Sequence, residues 1–63
     1  MTAPRTVRHL TPGELAERLR IPVGTLKRWR TTGTGPRFLR VGRHVRYRET
    51  DVETWEQDQL QAA

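Results

Sequence analysis

Apolar residues recur along this chain at helical spacing in its first half and at strand spacing just past its middle. Leu15 and Leu19 stand one helical turn apart and share a face. Leu26 and Trp29, three apart, repeat that relation on a second stretch. Arg20-Ile21-Pro22 between them leaves room only for a tight turn; Ile21 can plug the angle between two helices, and Ala16 lets them approach. Val45 and Tyr47 alternate with His44, Arg46 and Arg48, the period of a strand. Val52, Trp55 and Leu60 supply a last helical stripe. The pattern predicts helices over Pro12–Leu19, from Val23 to Arg30 or Thr31, and from Glu49 to Leu60. Between the last two it predicts a hairpin of 37–41 and 44–48 about Gly42-Arg43. The expected core is Leu15, Leu19, Ile21, Leu26, Trp29, Val45, Tyr47, Val52 and Trp55, with Trp55 closing it against the first helix.

Local signals fix the ends of these elements. Thr11 suits an N-cap, Pro12 the first helical position, and Glu14 completes a capping box, with Leu10 placed to pack back on Leu15. Thr11 can serve the cap alone or also meet a phosphate at the helix start. Gly33, Gly35 and Pro36 end the second helix. That stretch lacks the lysine-terminated phosphate-loop pattern and reads as a linker. The last helix has two possible starts, at Glu49 or behind a Thr50–Glu53 capping box. Residues 1–9, with Arg5 and Arg8 and no period, read as a flexible basic arm; 10–60 form one domain, and 61–63 a frayed tail. The fold class is mainly α with a small β-hairpin, in the order helix, helix, strand, strand, helix.

Two short helices at this spacing match a helix-turn-helix, whose second helix enters the DNA major groove. Charge sharpens that reading. The formal net charge is +5, and from Arg18 to Arg48 there is no Asp or Glu; from Glu49 onward there is no Lys or Arg. Soluble surfaces normally mix both signs. A cationic run of this kind repels itself, and a polyanion relieves the repulsion. With Leu26 and Trp29 inward, Gly24, Thr25, Lys27 and Arg28 turn outward and Arg30 to one side. Gly24 costs about 1 kcal/mol against Ala in a helix, which close approach of another backbone or simple tolerance in the first turn would explain. An isolated hairpin is unstable, so this one must lie on the helices. That leaves Arg43, His44 and Arg46 on a free cationic tip suited to a minor groove. His44 is either a solvated histidine or a hydrogen-bond donor near phosphate. Arg37 adds to the basic rim as a candidate for the DNA backbone.

Two segments, LTPGELAERLRIPVGTLKRW and GPRFLRVGRHVRYRETDVETW, resemble the excisionase-type, MerR-like winged helix-turn-helix family over Leu10 to about Gln57. Small actinobacterial mobile-element excisionases, or recombination directionality factors, are especially similar. The resemblance implies a winged helix-turn-helix that binds and bends double-stranded DNA at attachment sites and steers a separate integrase towards excision. It puts Thr25, Lys27, Arg28 and Arg30 on the recognition helix and Arg43, His44 and Arg46 on the wing. Glycine is common where Arg20 stands, so Arg20 is expected to be strained if that turn needs positive φ. The long coiled coil and effector domain of full MerR regulators have no counterpart here, so ligand sensing and a two-fold dimer are not expected.

A small transcriptional regulator built on the same domain is the alternative, and an RNA-binding protein a third reading. Against the third, Trp29 and Trp55 sit at core spacing and leave no stacking platform. Catalysis is not expected: Cys and Ser are absent, His9 and His44 have no acidic neighbours, and the last-helix carboxylates are explained by capping. No cofactor or metal is expected. No run approaches the roughly 20 apolar residues of a membrane span and no signal peptide is evident, so the expected place is the bacterial cytoplasm, at the nucleoid. The acidic last helix allows head-to-tail self-association on DNA, with Glu53, Glu56 or Asp58 of one copy facing cations of the next; the alternative is that it faces away from DNA.

Overall fold

Thr11 starts the first helix as its chemistry dictates. In a computed structural model, which describes residues 7–62, its Oγ1 accepts the Glu14 N–H at 3.1 Å, and its own N–H donates to Glu14 Oε1 at 2.9 Å. Thr11's backbone N–H, with the Thr11 side chain, Arg8 and Arg46 adding to it, holds the Glu14 carboxyl below its ordinary pKa. The cap's contribution is therefore present at neutral pH and lost as pH falls through that lowered value. Helix α1 (Pro12–Leu19) buries Leu15 and Ala16.

Arg20 closes α1 in the left-handed region, φ 58° and ψ 47°, the only non-glycine residue with positive φ among the described residues. Its N–H bonds the Glu17 carbonyl at 3.1 Å and the Ile21 N–H bonds that of Ala16 at 3.0 Å, a Schellman closure. Ile21 then packs against the core. The strain expected at this turn is present. An L-residue in this conformation costs about 1–2 kcal/mol, and glycine gives back part of that gain as unfolded-chain entropy. Arg20→Gly is expected to stabilise the domain by about 0.5–1 kcal/mol net, read as a rise of several degrees in the calorimetric melting temperature.

Helix α2 (Val23–Thr32) follows Pro22 and buries Leu26. It runs one residue past the expected end, and in that last turn the Thr31 and Thr32 hydroxyls donate to the Lys27 and Arg28 carbonyls. Gly33, φ 78°, then ends it. Strands β2 (Leu39–Val41) and β3 (His44–Arg48) form the expected hairpin, although β2 begins two residues later than expected. Val41 pairs with His44, which leaves Gly42-Arg43 as a two-residue turn. Gly42 has φ 64° while Arg43 has no positive φ, the type II′ pattern that matches strand twist.

A third strand, which the apolar pattern does not announce, completes the sheet. Strand β1 (His9–Leu10) pairs antiparallel with β3, giving the order β1-β3-β2. Leu10 lies opposite Tyr47 and is buried. The Arg8 carbonyl accepts the Glu49 N–H at 2.9 Å. The loose arm expected over 1–9 thus gives way to paired backbone by His9; residues 1–6 lie outside the described residues. Two residues are too few to carry a period, and they pair because β3 would otherwise expose one edge.

Helix α3 (Glu49–Ala62) starts directly from β3. The Arg8 carbonyl takes its first N–H, so the alternative start behind a Thr50–Glu53 box does not occur. The helix extends two residues beyond Leu60, which is 69% exposed and takes no part in the core. Trp55, expected to close the core against α1, is not among the residues packed against the core. Its ring lies tilted against Trp29 of α2, with centroids 5.5 Å apart and planes at 47°. Besides the shared core, charge joins α3 to α1: Arg18 meets Glu56 at 2.9 Å and Glu49 at 3.3 Å. The core is Leu10, Leu15, Ala16, Leu26, Tyr47 and Val52, with Leu19, Ile21, Trp29, Phe38 and Val45 packed against it.

Candidate nucleic-acid interface

A helix shows its partners whatever lies opposite its buried side. On α2 that buried side is Leu26, so Gly24, Arg28 and Thr31 follow one another on the opposite face and Lys27 borders it. Gly24, Lys27 and Arg28 are exposed, and Thr25 is half-buried with its N–H bonded to the Pro22 carbonyl. A Cβ at Gly24 would meet nothing within 4 Å, so no packing inside this chain requires glycine there. Val23, at the same end of α2, is 53% exposed and adds an apolar contact surface.

Arg30 is placed differently from its neighbours. Its Nη1 donates to the Tyr47 hydroxyl at 2.8 Å, and its guanidinium lies 5.9 Å from the centre of the Phe38 ring. It therefore ties α2 to the hairpin as well as adding charge.

On the hairpin, Arg43 and His44 are exposed at and beside the turn, next to Val41. Arg46 is half-buried, and its Nη1 donates to the Val45 carbonyl at 2.7 Å. Arg37 lies away from both elements, lining a groove with Asp51, Thr54 and Asp58 of α3. Thr11 has its Oγ1 occupied by the helix cap. Of the predicted contact residues, then, α2 and the turn present Gly24, Lys27, Arg28, Arg43 and His44 freely. Arg30 and Arg46 are tethered, and Arg37 and Thr11 stand apart.

The fold adds one residue that the sequence pattern does not single out. Arg40 pairs with Val45, so its side chain shares the sheet face of Val45 and Tyr47 and turns towards α2. There it borders a cleft with Lys27, Arg30, Thr31 and Val45. The two-residue turn contained the signal: a turn at Gly42-Arg43 fixes the register, and that register places Arg40 opposite Val45.

The tertiary structure also sorts the charges. Arg18 is engaged by Glu49 and Glu56, and Arg48 by Asp51 at 2.9 Å. The Arg18 guanidinium is held above its ordinary pKa chiefly by its hydrogen bond to Glu56. Pairs this exposed contribute about 0.2–1 kcal/mol each, but they remove Arg18 from the cationic surface. Lys27, Arg28, Arg40 and Arg43 have no carboxylate partner among the described residues. Of the carboxylates expected to face a neighbouring copy, Glu56 is occupied within the chain, while Glu53 and Asp58 are exposed.

Two helices in a turn-linked pair, with a basic hairpin behind them, define a winged helix-turn-helix. The chain belongs to the helix-turn-helix domain family, whose model it matches over residues 10–59; the family is of a DNA-binding, non-enzymatic type. No curated protein and no solved structure matches it. Among the described residues no helix is long and apolar enough to cross a membrane.

Proposed function

We propose that this protein binds double-stranded DNA sequence-specifically and acts as an excisionase, bending attachment-site DNA so that an integrase works in the excisive direction. The observation that carries the DNA reading is the set of unpaired cations on two adjoining elements, Lys27 and Arg28 on α2 and Arg40 and Arg43 on the hairpin. Helix α2 enters the major groove with Lys27 and Arg28 at base edges and phosphates. The turn at Gly42-Arg43 reaches the adjacent minor groove, where Arg43 follows the negative potential and exposed Val41 rests on the sugars. Gly24, with open space above it, lets a DNA strand come close to the first turn of α2.

The excisionase role rests on the resemblance of residues 10–29 and 35–55 to that family. It gives the protein an architectural task with no chemical step of its own. Footprinting on DNA flanking the gene, with bending measured on the protected fragment, tests both levels. A protected and bent segment beside an integrase gene is the expected result. Protection without bending points to a small transcriptional regulator, and no protection overturns the DNA reading.

A further inference from the structure

We propose that the cleft between α2 and the hairpin is a seat for one phosphodiester of the DNA backbone, and that Phe38 is the positioning residue that holds its guanidiniums in place. Lys27, Arg30, Thr31, Arg40 and Val45 line this cleft. Three of the five are cations, and no carboxylate lines it. The Thr31 hydroxyl donates to the Lys27 carbonyl, so the available donors are the charged ones. Two guanidinium forks and one ammonium form the donor set that tetrahedral phosphate oxygens accept.

Phe38 gathers that set. The Arg30 and Arg40 guanidiniums each lie 5.9 Å from the centre of its ring, within cation–π range. One comes from the helix and the other from the strand. The ring itself packs on Tyr47 at 6.2 Å, and Tyr47 in turn accepts the hydrogen bond from Arg30. Two like charges thus border one cleft, each within reach of a ring packed against the core, with no acid lining the cleft to neutralise them. An anion supplies the missing charge, and its site is organised before it arrives.

The geometry of duplex DNA says which anion. This step rests on the DNA reading above. The major groove and the neighbouring minor groove are separated by one sugar–phosphate strand. A protein with α2 in the first and the hairpin tip in the second must let that strand pass between them, across this cleft.

The test uses the full chain and a mixed-sequence DNA duplex, because phosphate contacts do not depend on sequence. Affinity is measured from about 50 to 200 mM salt for the wild type, Arg40→Gln, Phe38→Leu and Phe38→Tyr. Arg40→Gln is expected to lower affinity several-fold at low salt and to reduce the salt slope by about one. Phe38→Leu is expected to do the same although it removes no charge, and Phe38→Tyr to restore the wild-type slope. Arg40 is exposed, so its variant decides the matter even if Phe38→Leu does not fold. Wild-type slopes for both Arg40→Gln and Phe38→Leu, with Arg28→Ala, which lies outside the cleft, still weakening binding, overturn the seat and leave the DNA reading standing. A wild type that does not bind duplex overturns both.

Discussion

Gly35→Ala is expected to unfold the domain or bring it to the edge of unfolding. Gly35 lies in the linker after α2 with φ +80°, and a Cβ built there falls 2.6 Å from Trp29 Cε3 and 3.1 Å from Trp29 Cβ. The flexible end of a surface side chain could move aside, but Trp29 cannot. Its ring lies tilted against Trp55 and packs against the core, and its Cβ is fixed by the helix. The left-handed backbone costs about 1–2 kcal/mol for an L-residue, and forcing a methyl into packed atoms adds about 1–3 kcal/mol. A chain of this size, at about 0.05–0.15 kcal/mol per residue, has roughly 3–9 kcal/mol in all. Gly33→Ala separates the two costs, because Gly33 also has positive φ but open space around it. It should show the backbone part alone, so Gly35→Ala should melt well below it in thermal denaturation followed by circular dichroism. Equal melting temperatures would mean that the linker does not rest on Trp29.

Lys27→Ala combined with Arg28→Ala is expected to weaken duplex binding by roughly 10- to 100-fold with the fold intact. Both side chains are exposed and form no side-chain hydrogen bond or salt bridge among the described residues. Alanine is also the better helix former, so the melting temperature should hold or rise. Removing a side chain from a base edge costs about 1–3 kcal/mol, and from a phosphate less; about 1.4 kcal/mol is a factor of ten. The salt slope should fall by up to about two. Arg18→Ala is the control for charge alone. It also removes one positive charge, but one already paired with Glu49 and Glu56, so it should lower the melting temperature slightly and leave affinity nearly unchanged. Unchanged affinity in the α2 variant, measured by titration of labelled duplex, would take α2 out of the interface. A weakening by Arg18→Ala as great as by the pair would mean that net charge, not the α2 surface, governs binding.

These two outcomes depend on different kinds of information. Residues within a few positions of one another determined α1 and its capping box at Thr11 and Glu14, the stop at Gly33, and the hairpin about Gly42-Arg43. Periodicity, capping and turn chemistry act over one or two turns, so they can be read along the chain. The strain at Arg20 was expected from the family resemblance, which puts glycine at that turn position, and the left-handed backbone there bears it out.

Other features arise only when the elements dock. His9–Leu10 becomes a strand because β3 leaves an edge to be paired nearly forty residues further along. Trp55 meets Trp29, a pair that is 26 positions apart in the chain and forms only when α2 and α3 dock. The run from Arg18 to Arg48 reads as uniformly basic in the sequence. In the fold Arg18 is 38 positions from the Glu56 that neutralises it, while Arg40 faces cations across a cleft. By itself, then, the sequence determined every element but β1, their order and their overall charge. The tertiary structure alone decided which of those charges remain unpaired and face the same side, because ion pairing depends on distance in space and the chain places its partners far apart.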